Sequence, residues 1–239
     1  MITKALRFRS ALPLRVVGVG LALLATGTAA QAQVHAGPQP DAPAEAAPNS
    51  DAPQTVDELM QRLRTMPGLF ARFEERKTIA LLAVPLVNHG FVRFHPPGQL
   101  LRAVEKPHPS SVVLRKDDIW LAENGKTEHI DLHAHPAARS FVGSFRALLA
   151  GDRAALDAHF ILSLNTDAQG VWTLELAPRS EGMKKIVIKM SIRGKGDQLQ
   201  QLRIEEASGD VSDTRFFDVD TRHKHSAQDV ERYFAVPHS

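Results

Sequence analysis

The second half of the chain alternates apolar and polar residues with a period of two. The alternation covers the ranges 172–176, 186–192 and 202–205, and glycine-containing turns at 194–197 and 208–210 separate the last segments. Such alternation is typical of strands that bury one face of an antiparallel sheet. The pattern therefore predicts a sheet of consecutive hairpins, with a last strand near 217–219.

The stretch from His89 to Leu121 shows short apolar runs broken by turn-forming residues. The breaks are Pro-Pro-Gly at 96–98, Lys-Pro-His-Pro at 106–109 and Lys-Asp-Asp at 116–118. Proline and glycine pairs of this kind end strands and begin turns. The stretch therefore predicts a β-meander, and the range 129–135 is a further possible strand.

Helical spacing appears in three places. Thr55 with Glu58 forms a capping-box pattern before an apolar stripe that ends at Pro67-Gly68. A second stripe, with apolar residues between Phe141 and Leu149, stops at Gly151. Asp152 can cap a short third helix that carries Ala155, Leu156 and Phe160. The tail at 230–236 fits a final strand or a short helix.

A sheet with one apolar face must bury that face, and no second sheet is available to cover it. We therefore predict an α+β fold in which two or three helices lie against the apolar face of one strongly curved antiparallel sheet, with room for an apolar cavity between sheet and helices. Apolar cavities of this kind bind apolar ligands.

The N-terminus has the features of a secretory signal. A basic, acid-free start precedes an apolar run at 16–25 that is too short to span a bilayer, and Ala30-Gln31-Ala32 resembles a cleavage site. We predict a signal peptide at 1–32, a flexible Ala/Pro-rich leader at 33–53 and one globular domain at 54–239. The expected location is the periplasm.

Charge and cysteine content narrow the choice of function. Four of the 29 lysines and arginines fall in the predicted signal, which leaves 25 basic against 27 acidic residues and gives no reason to expect nucleic-acid binding. The chain has no cysteine, so it cannot form disulfides or carry a lipid-modified cysteine anchor. We expect a soluble monomer after export.

The order of these parts resembles the LolA family of periplasmic lipoprotein carriers. A Gly-led strand, Pro-Gly, a second strand, Lys-Pro, a third strand, a turn and an apolar-Trp-apolar strand follow one another within 89–121. The resemblance implies an incomplete, strongly curved antiparallel β-barrel of the LolA/LolB type, with helices covering an apolar cavity that shields the acyl chains of a lipoprotein. It also implies an inner-membrane donor complex and an outer-membrane acceptor as partners.

Two positions depart from the family pattern. His95-Pro96 stands where the family has an arginine that latches its helical lid, and Arg102 stands where an aromatic residue is usual. These departures indicate a divergent paralogue with its own lipid or lipoprotein cargo. Acyl contact would come from eight apolar side chains expected to line the cavity: Phe91, Leu114, Trp120, Phe145, Leu149, Trp172, Ile188 and Met190.

Other functions were considered from the same residues. A periplasmic interaction or scaffold module with a filled core is the main alternative. His129, Asp131, His133 and His135 would share one face of a strand, but same-face neighbours are about 7 Å apart, too far for four ligands on one ion. His223-Lys224-His225 is a similar weak candidate. No hydrolase or phosphate-binding motif is present, so we expect no enzymatic activity and no cofactor.

Overall fold

The computed structural model describes residues 52–80 and 82–235. The predicted signal peptide and residues 33–51 of the predicted leader lie outside this part of the chain. The last two leader residues are packed against the domain: Ala52 is buried, and the carbonyl of Pro53 accepts a hydrogen bond from Thr166 Oγ1 at 2.6 Å.

Eleven strands in the described residues form one antiparallel sheet. They are β1 (Leu69–Thr78), β2 (Leu86–His95), β3 (Gln99–Lys106), β4 (Ser110–Arg115), β5 (Asp118–Glu123), β6 (Lys126–Asp131), β7 (Phe160–Thr166), β8 (Val171–Pro178), β9 (Val187–Lys195), β10 (Gln198–Glu206) and β11 (Val211–Asp220). The helices of the same part of the chain are α1 (Val56–Arg64), α2 (Pro136–Leu149), α3 (Arg153–Asp157), α4 (Glu181–Lys184) and α5 (Ala227–Phe234).

The sheet consists of two meanders joined at its centre. The strand order is β6-β5-β4-β3-β2-β1-β11-β10-β9-β8-β7, so the first and last strands pair with each other. The edge strands β6 and β7 do not pair, and the chain crosses from one edge to the other through α2 and α3. The sheet is therefore a curved, unclosed barrel with helices over its inner face, which confirms the predicted α+β fold class.

Local sequence explains the helix ends. Thr55 Oγ1 accepts a hydrogen bond from the N–H of Glu58, as predicted, while the Glu58 carboxylate accepts from the N–H of Gln54 at 2.7 Å. Asp152 caps α3 by accepting from the N–H of Ala155 at 3.1 Å. Such caps satisfy amide groups that have no partner inside a helix.

The main core lies between the inner face of the sheet and helices α1 and α2. Trp172, Leu174 and Leu176 of β8 are buried, which confirms the period-two prediction for that strand. A second apolar cluster lies on the outer face, where Phe234 of α5 packs with Leu101 and other residues of β3 and β4. The sheet is therefore covered on both faces near β3 and β4.

Two local predictions were wrong. The strand expected at 129–135 ends at Asp131, whose side chain accepts a hydrogen bond from the N–H of His133 at 2.8 Å and so starts a 3₁₀ turn at Leu132–Ala134. Phe160, expected on the short third helix, begins β7. The tail forms the short helix α5, one of the two forms that the pattern allowed.

No helix within residues 52–80 and 82–235 is long and apolar enough to cross a bilayer.

Candidate ligand cavity

An apolar cavity of about 260 Å³ lies between α2 and the inner face of the sheet. The backbone of α2 lies mainly beside the other helices and has few near neighbours in the strands, which leaves space beneath the helix. Most of the lining side chains are aliphatic or aromatic. On the sheet they are Leu69, Phe73, Val92, Leu100, Val112, Leu114, Ile119, Ile130, Ile192, Leu199, Leu202, Ile204 and Phe216.

Helix α2 forms the lid of this cavity. Phe141 and Phe145, one helical turn apart, point into the cavity with their rings edge to face at a centroid distance of 5.2 Å. Val142, Leu148 and Leu149 complete the apolar face of the helix. The helix therefore presents one continuous apolar stripe to the cavity.

Polar contacts at the protein surface hold the lid to the turn between β4 and β5. Arg139 Nε donates to Asp117 Oδ1 at 3.1 Å, and Arg146 Nη1 donates to the carbonyl of Lys116. The Arg139 guanidinium beside Asp117 lowers the pKa of that carboxyl below its usual value. These contacts are exposed, so each is weak. Both arginines lie on the lid helix, whereas the latch arginine of the family pattern would stand at His95-Pro96, at the end of β2.

The inner face of β1 changes from apolar to charged along its length. Leu69, Ala71 and Phe73 are followed at the same spacing by Glu75 and Lys77, and all five side chains are buried. Because strand side chains alternate, these residues form one row on the cavity side. The cavity therefore has an apolar end near α1 and a polar end near the C-terminal end of β1.

Each buried charge at the polar end is paired. Arg102 Nη2 donates to Glu75 Oε2 at 2.8 Å, and its guanidinium lies 4.6 Å from the centre of the Phe73 ring. Lys77 Nζ lies 2.9 Å from Glu206 and 3.7 Å from Asp210. Arg102, which stands where an aromatic residue was expected, thus forms a partly buried ion pair at the cavity wall.

Ser212 and Thr214 of β11 complete the polar end. Both side chains are buried and line the cavity beside Glu75 and Glu206. The Oγ of Ser212 has no hydrogen-bond partner among the described residues. A buried hydroxyl without a partner is unusual in a folded protein, because desolvation of the group is then uncompensated.

Of the eight side chains expected to line the cavity, three line it and five do not. Leu114, Phe145 and Leu149 line it. Trp172 and Met190 are buried in the main core without reaching the cavity surface.

The other three, which the sequence placed at the cavity, lie away from it. Phe91 packs with Phe234 and α5 on the outer face, and Trp120 is stacked on His129 at 5.1 Å on that same face. Ile188 is 57% exposed because the pairing of β9 with β10 shifts by one residue there, so Val187 is buried in its place. An extra residue of this kind reverses the alternation of faces along a strand.

Several cavity residues were missed from the sequence, above all Glu75, Arg102, Ser212 and Thr214. The signal for Glu75 was its position in the row that starts with Leu69 and Phe73, but charged residues on a strand are normally assigned to the wet face.

The candidate histidines of the described residues contact other side chains instead of converging on one point. His129 Nε2 lies 2.7 Å from Asp118, His133 lies 3.6 Å from Asp117, and His225 packs with His223 at a ring distance of 4.6 Å. Across the described part of the chain, no group of three or more potential ligands has the geometry to hold a metal ion.

A second, larger groove of about 690 Å³ runs between α2 and the turns that precede β3 and β5. Its walls carry Arg115, Lys116, Asp118 and Arg146, with Trp120 among them. This charged groove is a poor match to an acyl chain, and the apolar cavity is the candidate site.

A family model described as outer membrane lipoprotein carrier protein LolA-like matches residues 46–231, well over half of the chain. The chain therefore belongs to this LolA-like family, as the order of strands and turns indicated. Family membership supports a lipid- or lipoprotein-binding role and does not extend to a particular delivery route.

Several solved structures are similar to this chain. A LolA superfamily protein from Nitrosomonas europaea has 12% identity and a TM-score of 0.42, over 75% of this chain and 96% of that one. A putative outer membrane lipoprotein-sorting protein domain from Vibrio parahaemolyticus has 12% identity and a TM-score of 0.41, over 73% and 94%. The MucA/MucB complex of Pseudomonas aeruginosa has 10% identity and a TM-score of 0.43, over 72% and 59%. Among curated proteins, none matches the chain significantly.

Proposed function

We propose that the protein is a periplasmic carrier that shields the acyl chains of a lipoprotein or a related lipid and delivers it toward the outer membrane. The observation that carries the proposal is the apolar cavity between the lid helix α2 and the sheet. In this role the protein works as a monomer, receives its cargo from an inner-membrane donor and passes it to an outer-membrane acceptor. It catalyses no reaction.

The lining of the cavity supports an acyl ligand. Aliphatic and aromatic side chains from α2 and from nine strands line it, so most of the surface of a chain inside would be removed from water. Each buried methylene contributes about 0.8 kcal/mol. Affinity can therefore come from chain length alone, as a carrier of varied lipids requires.

The size of the cavity gives the lid a role. About 260 Å³ is near the lower limit for a ligand pocket and exceeds the ~150 Å³ that holds a benzene-sized molecule. With α2 in this position the cavity has room for part of one acyl chain. A lipoprotein with several chains requires α2 to move outward, and the weak contacts of Arg139 and Arg146 permit this.

The main alternative, a scaffold module with a filled core, requires tight packing between sheet and helices. Protein interiors are close-packed, with few voids larger than a water molecule. A void of this size beneath one amphipathic helix is a better match to a binding protein.

Titration with a fluorescent fatty-acid probe tests the proposal. Ile204 lines the cavity, and Ile204→Trp would fill part of it. Loss of space for two methylenes corresponds to about 1.6 kcal/mol, so we expect roughly tenfold weaker binding. Ile188→Trp is the matched control, since the same substitution then lies at an exposed position on the neighbouring strand.

The wild-type protein and the Ile188→Trp variant should bind the probe equally. Failure of the wild-type protein to bind would overturn the carrier function. Equal binding by the Ile204→Trp variant, with its fold intact by circular dichroism, would move the ligand site away from this cavity.

A further inference from the structure

The polar end of the cavity is built from eight side chains of five neighbouring strands and the turn between β10 and β11. They are Glu75, Lys77, Asn88, Arg102, Glu206, Asp210, Ser212 and Thr214. An apolar tail alone needs none of these groups, and buried charges on a cavity wall are costly unless a hydrogen-bonding network satisfies them. Their presence calls for a ligand with a polar group next to its chain.

We propose that this end receives an uncharged, hydrogen-bonding group attached to the acyl chain, such as an ester, amide or hydroxyl, with Ser212 as its direct contact. The inference rests on the proposed function and specifies the chemical class of its ligand.

The charges at this end disfavour an anionic head group. Both cations are already engaged, Arg102 by Glu75 and Lys77 by Glu206 and Asp210. Three carboxylates face two cations, so the cluster is negative by one charge. A carboxylate or phosphate group would have to displace an existing partner or enter against this excess, and burial makes either choice expensive.

Ser212 provides what an uncharged group needs. Its side chain is 2% exposed, it lines the cavity, and its Oγ has no partner among the described residues. A hydroxyl can donate to a carbonyl oxygen or accept from an amide or hydroxyl. Ser212 pairs with Lys77 on one side and with Ile204 on the other, so it sits where the apolar wall meets the charged row.

The polar end also faces the rim of the barrel. Side-chain exposure rises from 2% at Lys77 to 12% at Glu206 and 19% at Asp210, which lies in the turn between β10 and β11. An acyl chain bound with its tail toward α1 would therefore direct its polar linkage, and whatever follows it, toward solvent. A chain joined to a larger cargo fits this direction.

The test compares two ligands of equal chain length. Purified protein loaded with the fluorescent fatty-acid probe is titrated with 1-decanoylglycerol and with sodium decanoate at pH 7.5, both below their aggregation limits. We expect the monoacylglycerol to displace the probe at a concentration at least about fivefold lower, the equivalent of one neutral hydrogen bond.

Ser212→Ala should abolish this preference while probe binding is retained. Ser191→Ala on β9 is the matched control, since Ser191 lies on the opposite face of the sheet and should keep the preference. The ligand-free Ser212→Ala variant should be as stable as the wild-type protein or more stable, because the Oγ has no partner to lose.

Two results would overturn the inference and leave the carrier function standing: probe binding with equal or tighter displacement by decanoate, or an unchanged preference in Ser212→Ala. A protein that binds neither the probe nor either ligand would overturn both proposals. A less stable ligand-free Ser212→Ala variant that keeps the preference would make Ser212 a structural residue.

Discussion

The buried ion pair of Lys77 allows a quantitative test of the polar end. Lys77 is 2% exposed and pairs at 2.9 Å with Glu206, which is 12% exposed, with Asp210 close by. Lys77→Met keeps most of the volume and removes the charge, which leaves two carboxylates without their cation. Breaking a buried pair in this way typically costs about 3–5 kcal/mol. Because both carboxylates can turn partly toward water, we expect about 3 kcal/mol.

Lys189 provides a matched control on the same sheet. Its Nζ lies only 2.6 Å from Glu175, yet the two side chains are 42% and 46% exposed. An exposed pair contributes less than about 1 kcal/mol whatever its distance, so Lys189→Met should change stability little. Salt at 1 M should reduce the small effect of Lys189→Met further and leave that of Lys77→Met nearly unchanged.

The assay is urea unfolding at pH 7, monitored by circular dichroism. The free energies of unfolding of both variants and the wild-type protein are compared where the dependence on urea concentration, the m value, is equal. The double variant Lys77→Met/Glu206→Leu should recover part of the loss, since it leaves fewer unpaired charges. Equal losses for Lys77→Met and Lys189→Met, or no recovery in the double variant, would refute the reasoning that burial makes the Lys77 pair the stronger one.

Three further predictions concern stability. Gly90→Ala would place a Cβ 1.9 Å from the carbonyl oxygen of Ala103, so it should cost about 3 kcal/mol or more in urea unfolding. Gly143→Ala on the lid meets no atom within 4 Å and should stabilise the protein by about 1 kcal/mol in the same assay; a loss would contradict the open surroundings of Gly143. Burial, and then the charge of His223, lowers the pKa of His225 below its usual value of 6.5. Between the folded-state pKa and 6.5 the unfolded chain therefore binds more protons than the folded chain. The free energy of unfolding should fall as the pH drops through this range. In His225→Gln this fall should be smaller, and an unchanged pH profile would show that His225 does not cause it.

Most of the strands and helices could be predicted because their signals are local. Period-two alternation, turn residues and caps act over a few residues, and Trp172 to Leu176 and the Asp152 cap formed as the pattern indicated. The family resemblance supplied the arrangement of those elements, which local patterns do not give.

The cavity-lining residues were harder to predict, for two physical reasons. Near β3 and β4 the sheet is covered on both faces, by α2 inside and α5 outside, so apolar residues of both parities are buried. Phe91 and Leu114 therefore look alike in the sequence although they lie on opposite faces. In β9 the irregular pairing at Ile188 reversed the faces, and nothing in the alternation of that strand marks where this happens.

The polar end of the cavity could be identified only from the three-dimensional pairing of the strands. Glu75, Arg102 and Asn88 come from three strands and meet only through their registers, and Lys77 and Glu206 are far apart in the sequence. Charged residues are rarely buried unless paired, and the sequence does not show the partners.

Native mass spectrometry of the protein purified from the periplasm is the most direct test of the carrier function. We expect a fraction of the wild-type protein to carry the mass of an acylated lipid or lipoprotein, and we expect Ile204→Trp to lose that mass while Ile188→Trp keeps it. A wild-type protein that is bare under gentle conditions, and stays bare after incubation with 1-decanoylglycerol, would contradict the account.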